Sequence, residues 1–215
     1  MQVGIIGAGW VGSATAFALM MRGVARKITL IDVNKDKAWA EATDVAHAAP
    51  FAYANKVKSG DYKDLCGCEV VIVTAGANQK PGETRTDLLS RNVKIFANII
   101  PQIVANAPET TLVIATNPVD VMTEVALKLS GFPKERVIGS GTVLDTARFR
   151  TDLGYHLGIS PKSLHANVLG EHGDSEVLCW STGDGGTIPL AHLAETMGKP
   201  FTEEVKARID DDVRN

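Results

Sequence analysis

A doubly wound parallel α/β sheet, followed by a partial α+β domain, is the fold that this sequence predicts, and three observations predict it. Short Val- and Ile-rich runs without polar alternation recur through the first 139 residues, as strands covered on both faces require. Helix-length segments separate these runs, which is the alternation of a parallel sheet. Beyond residue 139 the pattern changes to a long helix, short strands and a glycine-rich turn, so the chain divides into residues 1–139 and 140–215.

In the first segment, strands are expected at residues 3–7, 28–31, 70–74, 112–116 and 137–139, with helices at 10–22, 35–47, 84–107 and 119–130. Right-handed crossovers place the ligand crevice at the carboxyl ends of such strands. In the second segment a helix is expected at 141–158, opening at a Ser-Gly-Thr turn. Strands at 165–169 and 176–180 follow, then the turn Gly183-Asp184-Gly185-Gly186 and amphipathic helices at 190–197 and 202–214. The chain stops within a helical pattern that has no terminator, so the second domain is expected to be incomplete.

Composition narrows the function classes. Of 215 residues, 45% are hydrophobic and 22% charged, as in a globular protein with a buried core. A net charge of −3 offers no general field for nucleic acid or an anionic membrane. No run approaches a bilayer span, and the N-terminus opens as a strand without a basic leader, so a cytoplasmic protein is expected. Cys66 and Cys68 lie too close together for ordinary zinc-ligand spacing, and Cys179 sits in an apolar stretch. All three read as reduced thiols in packing positions, and no metal is expected.

The cofactor signal is Gly7-Ala8-Gly9-Trp10-Val11-Gly12, a G-x-G-x-x-G run between a strand and a helix. The first glycine permits the tight turn, the second lets a pyrophosphate approach the backbone, and the third lets helix pack on strand. The helix N-terminus then offers free N–H groups and the positive end of its dipole. Asp32, at the end of the next strand, accepts hydrogen bonds from ribose hydroxyls and repels a 2′-phosphate. A Rossmann domain for NAD rather than NADP is therefore expected.

The chemical signal is Gly170-Glu171-His172-Gly173-Asp174-Ser175. Glycines on both sides let the backbone bend and present an imidazole, the side chain best suited to give and take a proton near neutrality. Asp145 and Arg148 lie three apart on an expected helix, hence on one face. Asp145 is read as the acceptor that fixes the His172 tautomer, and Arg148 as a fork for a substrate carboxylate. Arg85 follows a Gly/Pro-containing loop, as a charge brought onto substrate by a mobile segment would. Together these are the parts of a hydride-transfer enzyme acting on a small 2-oxo acid.

From Gly7 onward the chain resembles the bacterial NAD-dependent L-lactate dehydrogenases of the lactate/malate dehydrogenase family. The resemblance implies that His172 protonates the pyruvate carbonyl oxygen, Arg85 polarises that carbonyl, Arg148 holds the carboxylate and Asp145 supports the histidine. Asn117 resembles the asparagine that touches substrate and nicotinamide. Gly76, Ala77 and Ser140, with Tyr62 and Lys37, match cofactor contacts. Gln79 falls where malate dehydrogenases resemble one another in carrying an arginine for a second substrate carboxylate. A neutral residue there favours pyruvate and L-lactate, because a buried dicarboxylate would keep an uncompensated charge. Arg150 and His165 match positions that bind fructose 1,6-bisphosphate between subunits in allosteric relatives, and a homotetramer is implied. The rival readings are a malate or broad 2-hydroxy acid dehydrogenase and, from another class, a non-catalytic NAD-binding protein.

Overall fold

A computed structural model describes residues 1–53, 56–77, 82 and 84–214, apart from the side chain of residue 85. The chain forms two compact units, Met1–Gly139 and Ser140–Asn215. In the first unit, in chain order, lie β1 (Gln2–Ile6), α1 (Trp10–Met21), β2 (Lys27–Ile31), α2 (Lys35–Ala46), β3 (Lys56–Ser59), β4 (Val70–Val73), α3 (Arg85–Asn106), β5 (Thr111–Ile114), α4 (Val119–Ser130) and β6 (Val137–Gly139). The six strands make one parallel sheet in the order β3-β2-β1-β4-β5-β6.

Strands β1 and β2 each bury four of five residues, which is why they carry no polar alternation. Val3, Ile5, Ile28 and Leu30 share a core with Ala16 and Met20 of α1 and Ala38 and Ala42 of α2. Ile6, Val71, Val73, Leu112 and Ile114 share another with Phe96, Ile100 and Ile103 of α3 and Met122 and Ala126 of α4. The order reverses at β1, which lies between β2 and β4, so the crevice between the ends of β1 and β4 is the topological switch point.

Strand β3 is not among the strands expected from the sequence. Its four residues alternate exposed and half-buried and include two lysines, as an edge strand that must resist further pairing does. Its signal is therefore charge rather than hydrophobicity.

The second unit holds α5 (Val143–Leu157), β7 (Leu164–His165), β8 (Val168–Leu169), β9 (Val177–Leu178), β10 (Asp184–Gly185), β11 (Ile188–Pro189), α6 (Leu190–Thr196) and α7 (Glu203–Arg214). Phe149, Leu153 and Leu157 of α5 pack with Leu164, Val168, Leu178, Leu193, Ile209 and Val213 in one core. Helix α5 starts two residues later than expected and ends at Gly158, whose φ of +73° suits the left-handed position after a helix.

The single strand expected at 165–169 is a misreading. Strand β7 pairs with β10, whereas β8 pairs with β9. Side chains from α5 take over the backbone at the break. Arg150 Nε donates to the Ala166 carbonyl at 2.7 Å, and the Val168 N–H donates to Thr146 Oγ1 at 2.9 Å. The expected glycine-rich turn is a hairpin instead. β10 and β11 pair around Gly186 and Thr187, both at positive φ, as the favoured two-residue hairpin turn requires. Of the free cysteines, Cys68 is buried, whereas Cys66 is exposed rather than packed. Among the described residues no helix is long and apolar enough to cross a membrane.

Candidate active site

The first unit builds an anion cradle at the switch point. Gly7 follows β1 with φ +110°, and a Cβ there would come within 2.7 Å of the Ala75 backbone nitrogen. A Cβ on Gly12 would lie 1.9 Å from the Gly7 carbonyl oxygen, so helix and loop meet at van der Waals contact. Gly9 differs: among the described residues a Cβ there would meet nothing within 4 Å. No side chain caps α1 and its first turn carries no acid, whereas Asn34 caps α2 and Thr84 caps α3. Trp10 and Val11, at the start of α1, are exposed. The α1 amides, uncapped beside the glycine loop, are thus open to a phosphate.

Asp32 ties this loop to the next turn. Its Oδ2 accepts from the Ala8 N–H at 2.7 Å and its Oδ1 from the Asn34 N–H at 2.9 Å. Burial, followed by the charge of Asp32, raises the Tyr62 hydroxyl above its ordinary pKa. Lys37 lies in the first turn of α2, where its N–H donates to the Asn34 side chain at 3.0 Å. The glycine loop, Asp32 and the α1 amides fit a dinucleotide that presents a pyrophosphate and a free ribose diol.

At the neighbouring strand ends, Thr74 Oγ1 donates to the Gly7 carbonyl at 3.1 Å and Thr116 Oγ1 to the Ala75 carbonyl at 2.8 Å. A residue absent from the sequence reading joins these loops. Asn92, 1% exposed on α3, accepts from the Ala77 N–H and donates to the Asn117 carbonyl, both at 2.8 Å. Its sequence signal is an asparagine on the apolar stripe of Phe96, Ile99 and Ile103. Gly76 packs against Thr116, and the exposed Asn117 precedes a cis peptide to Pro118. Arg85 is the first residue of α3, behind the Thr84–Asp87 capping box. Gln79 and the Arg85 side chain lie outside the described residues.

The second unit brings Asp145, Arg148 and His172 together. Asp145 stands in the first turn of α5 and is only 1% exposed, where the helix dipole favours an anion. His172 Nδ1 lies 2.6 Å from Asp145 Oδ2, and Arg148 Nη1 lies 3.5 Å from Asp145 Oδ1. With Nδ1–H donating to the carboxylate, Nε2 is the nitrogen through which a proton is exchanged. Arg148 also donates to the Val213 carbonyl of α7 at 3.0 Å. Gly170 and Gly173 flank the histidine at φ +102° and +140°, conformations that a side chain would oppose.

Two further residues belong to this cluster and escape the sequence reading. Arg214, on α7, holds the histidine loop by its carbonyls, at 3.0 Å to Asp174 and 2.8 Å to Glu176, and is itself gripped by Asp210. Glu176 is 3% exposed, and among the described residues neither carboxyl oxygen meets a donor at good hydrogen-bond geometry, the Gly173 backbone N–H approaching it weakly. Burial first, and then the charge of Asp145, push its carboxyl above the ordinary carboxylate range. Only its place ahead of the apolar pair Val177-Leu178 marks it in the sequence.

Ser140 precedes α5, its carbonyl accepting from the Val143 N–H at 3.2 Å. His165 is exposed in β7. Arg150 spends two donors within the unit, on Ala166 and on Asn167 Oδ1 at 2.9 Å.

Two family profiles match the chain. One, described as lactate/malate dehydrogenase, NAD binding domain, matches residues 1–139; the other, described as lactate/malate dehydrogenase, alpha/beta C-terminal domain, matches residues 142–215. An L-lactate dehydrogenase of Thermus aquaticus is 56% identical, with 100% of this chain and 69% of the relative covered. One of Allorhizobium ampelinum is 55% identical with the same coverage. Among solved structures, the minor L-lactate dehydrogenase of Enterococcus mundtii superposes with a TM-score of 0.93 at 40% identity, with 100% of this chain and 68% of that one covered.

Proposed function

We infer the reaction from the premise that this chain belongs to the lactate/malate dehydrogenase family: it is an NAD-dependent enzyme that interconverts pyruvate and L-lactate. The observation that carries the chemical reading is the His172–Asp145 contact, with Arg148 on the same buried carboxylate. The balanced reaction is pyruvate + NADH + H⁺ giving L-lactate + NAD⁺. The dinucleotide, when bound, supplies the hydride.

This chain's residues do the rest. The α1 amides receive the pyrophosphate and Asp32 the ribose hydroxyls. Arg148 pairs with the substrate carboxylate as a planar fork. His172 gives its proton to the carbonyl oxygen as that oxygen gains charge, and Asp145 stabilises the imidazolium. Arg85 polarises the carbonyl, Asn117 contacts substrate and nicotinamide, and Gln79 disfavours a second carboxylate. Gly76, Ala77, Ser140, Tyr62 and Lys37 complete the cofactor contacts. The active form is a cytoplasmic homotetramer. Fructose 1,6-bisphosphate activates it through Arg150, which is anchored beside β7, and the exposed His165.

NADH oxidation with pyruvate and with oxaloacetate, with and without the sugar bisphosphate, tests this reading. Pyruvate is expected to be preferred by at least about tenfold in kcat/KM, the worth of roughly 1.4 kcal/mol. Equal use of oxaloacetate sinks the substrate assignment, and an unchanged KM and molecular mass with the bisphosphate sinks the regulation.

The glycine loop makes a separate prediction. Gly12→Ala is expected to lose about 1–3 kcal/mol of stability through overpacking against the Gly7 carbonyl. Gly9→Ala is expected to keep its melting temperature yet bind NADH more weakly, because its methyl meets none of the described residues and stands where a pyrophosphate would approach the backbone. Thermal melts and fluorescence titration separate the two. Normal NADH binding by Gly9→Ala would show that the pyrophosphate lies elsewhere.

A further inference from the structure

The second unit buries more carboxyl groups around His172 than the mechanism uses. Asp145 is held by His172 and Arg148, but among the described residues no side chain bonds either Glu176 oxygen. One ligand atom from each of Asp145, His172 and Glu176 lies within 4.8 Å of the others. We propose that Glu176 is a positioning residue for the proton-donating histidine, a second carboxyl that ionises in step with the imidazolium and helps it keep its proton.

A buried carboxylate with an anion beside it, approached only by the Gly173 backbone N–H among the described residues, is costly, so a neutral His172 leaves Glu176 reason to hold its own proton. When the imidazole is charged, an opposite charge within about 4–6 Å favours the ionised acid. The two groups then titrate as a coupled pair. The charged groups facing Glu176 are Asp145 from α5, His172 from the histidine loop, and Arg214 from α7. Arg214 is neutralised locally by Asp210 and spends its remaining donors on loop carbonyls, including that of Glu176 itself. His172 is thus the cation whose charge changes during the reaction.

The proposal rests on His172 being the proton donor, and its test is separable from that reading. Pyruvate reduction needs the protonated imidazole, so Glu176→Gln, which cannot ionise, should move the alkaline limb of kcat/KM to lower pH by about one unit. Glu176→Asp, which keeps an acid, should restore part of the shift. Diethyl pyrocarbonate, which attacks only neutral imidazole, reads the same change without turnover once the His172→Asn background is subtracted. Its half-maximal pH should fall by a similar amount in Glu176→Gln. Identical modification midpoints in the unmodified protein and Glu176→Gln overturn the proposal.

If the modification midpoint moves while no substrate turns over, the functional reading fails and the coupling stands. Infrared spectra guard against a variant that does not fold. In His172→Asn, the carbonyl stretch of a protonated glutamate should persist to higher pH than in the unmodified protein. A stretch lost at the same pH in both would show that the groups are not coupled.

Discussion

Replacing His172 with asparagine is expected to lower kcat/KM for pyruvate reduction by about 10³-fold, within the usual range for loss of a general acid. Asparagine can still donate a hydrogen bond to Asp145, so the 1% exposed carboxylate keeps a partner and the loop keeps its shape. What disappears is a group that can release a proton to the carbonyl oxygen as hydride arrives at carbon. The loss should fall mainly on kcat. NADH affinity should change little, because the glycine loop and Asp32 belong to the first unit. Steady-state kinetics and NADH fluorescence read the two quantities separately. Activity within tenfold of the unmodified protein would mean that water or another acid supplies the proton.

The sheet of the first unit is legible because its inner strands are largely buried on both faces and its glycine loop sits between strand and helix. Strand β3 is not, because this edge strand is half lysine and alternates exposed with half-buried residues. In the second unit the strands are two residues long, too short for any period to declare itself. The break between β7 and β8 depends on Arg150 and Thr146, side chains 16 and 22 residues away from the backbone they bind. The site divides along the same line. His172, Asp145 and Arg148 are legible as residue types with complementary chemistry. Glu176, Asn92 and Arg214 are ordinary polar residues in sequence, and their meaning comes only from what lies across the fold. Glu176 is notable for what it lacks, Asn92 for joining two loops, and Arg214 for holding three loop carbonyls.

Arg148→Leu is expected to lower kcat/KM less than the loss of His172 does, and through a different term. Truncating one partner of a close charge pair costs about 2–5 kcal/mol when the pair is buried. The Arg148 side chain is 39% exposed before substrate arrives, which argues for the lower end. That still amounts to about 30-fold or more in kcat/KM, and most of it should enter through KM. Arg148 also braces its own unit, through the Val213 carbonyl and Asp145 Oδ1, so a general loosening has to be separated from lost recognition. The uncharged methyl ester of pyruvate makes that separation. It offers the same carbonyl to His172 and no carboxylate to Arg148, so Arg148→Leu should cost it far less than it costs pyruvate. Equal losses for the acid and the ester would show that Arg148 serves the fold around Asp145 and not the substrate.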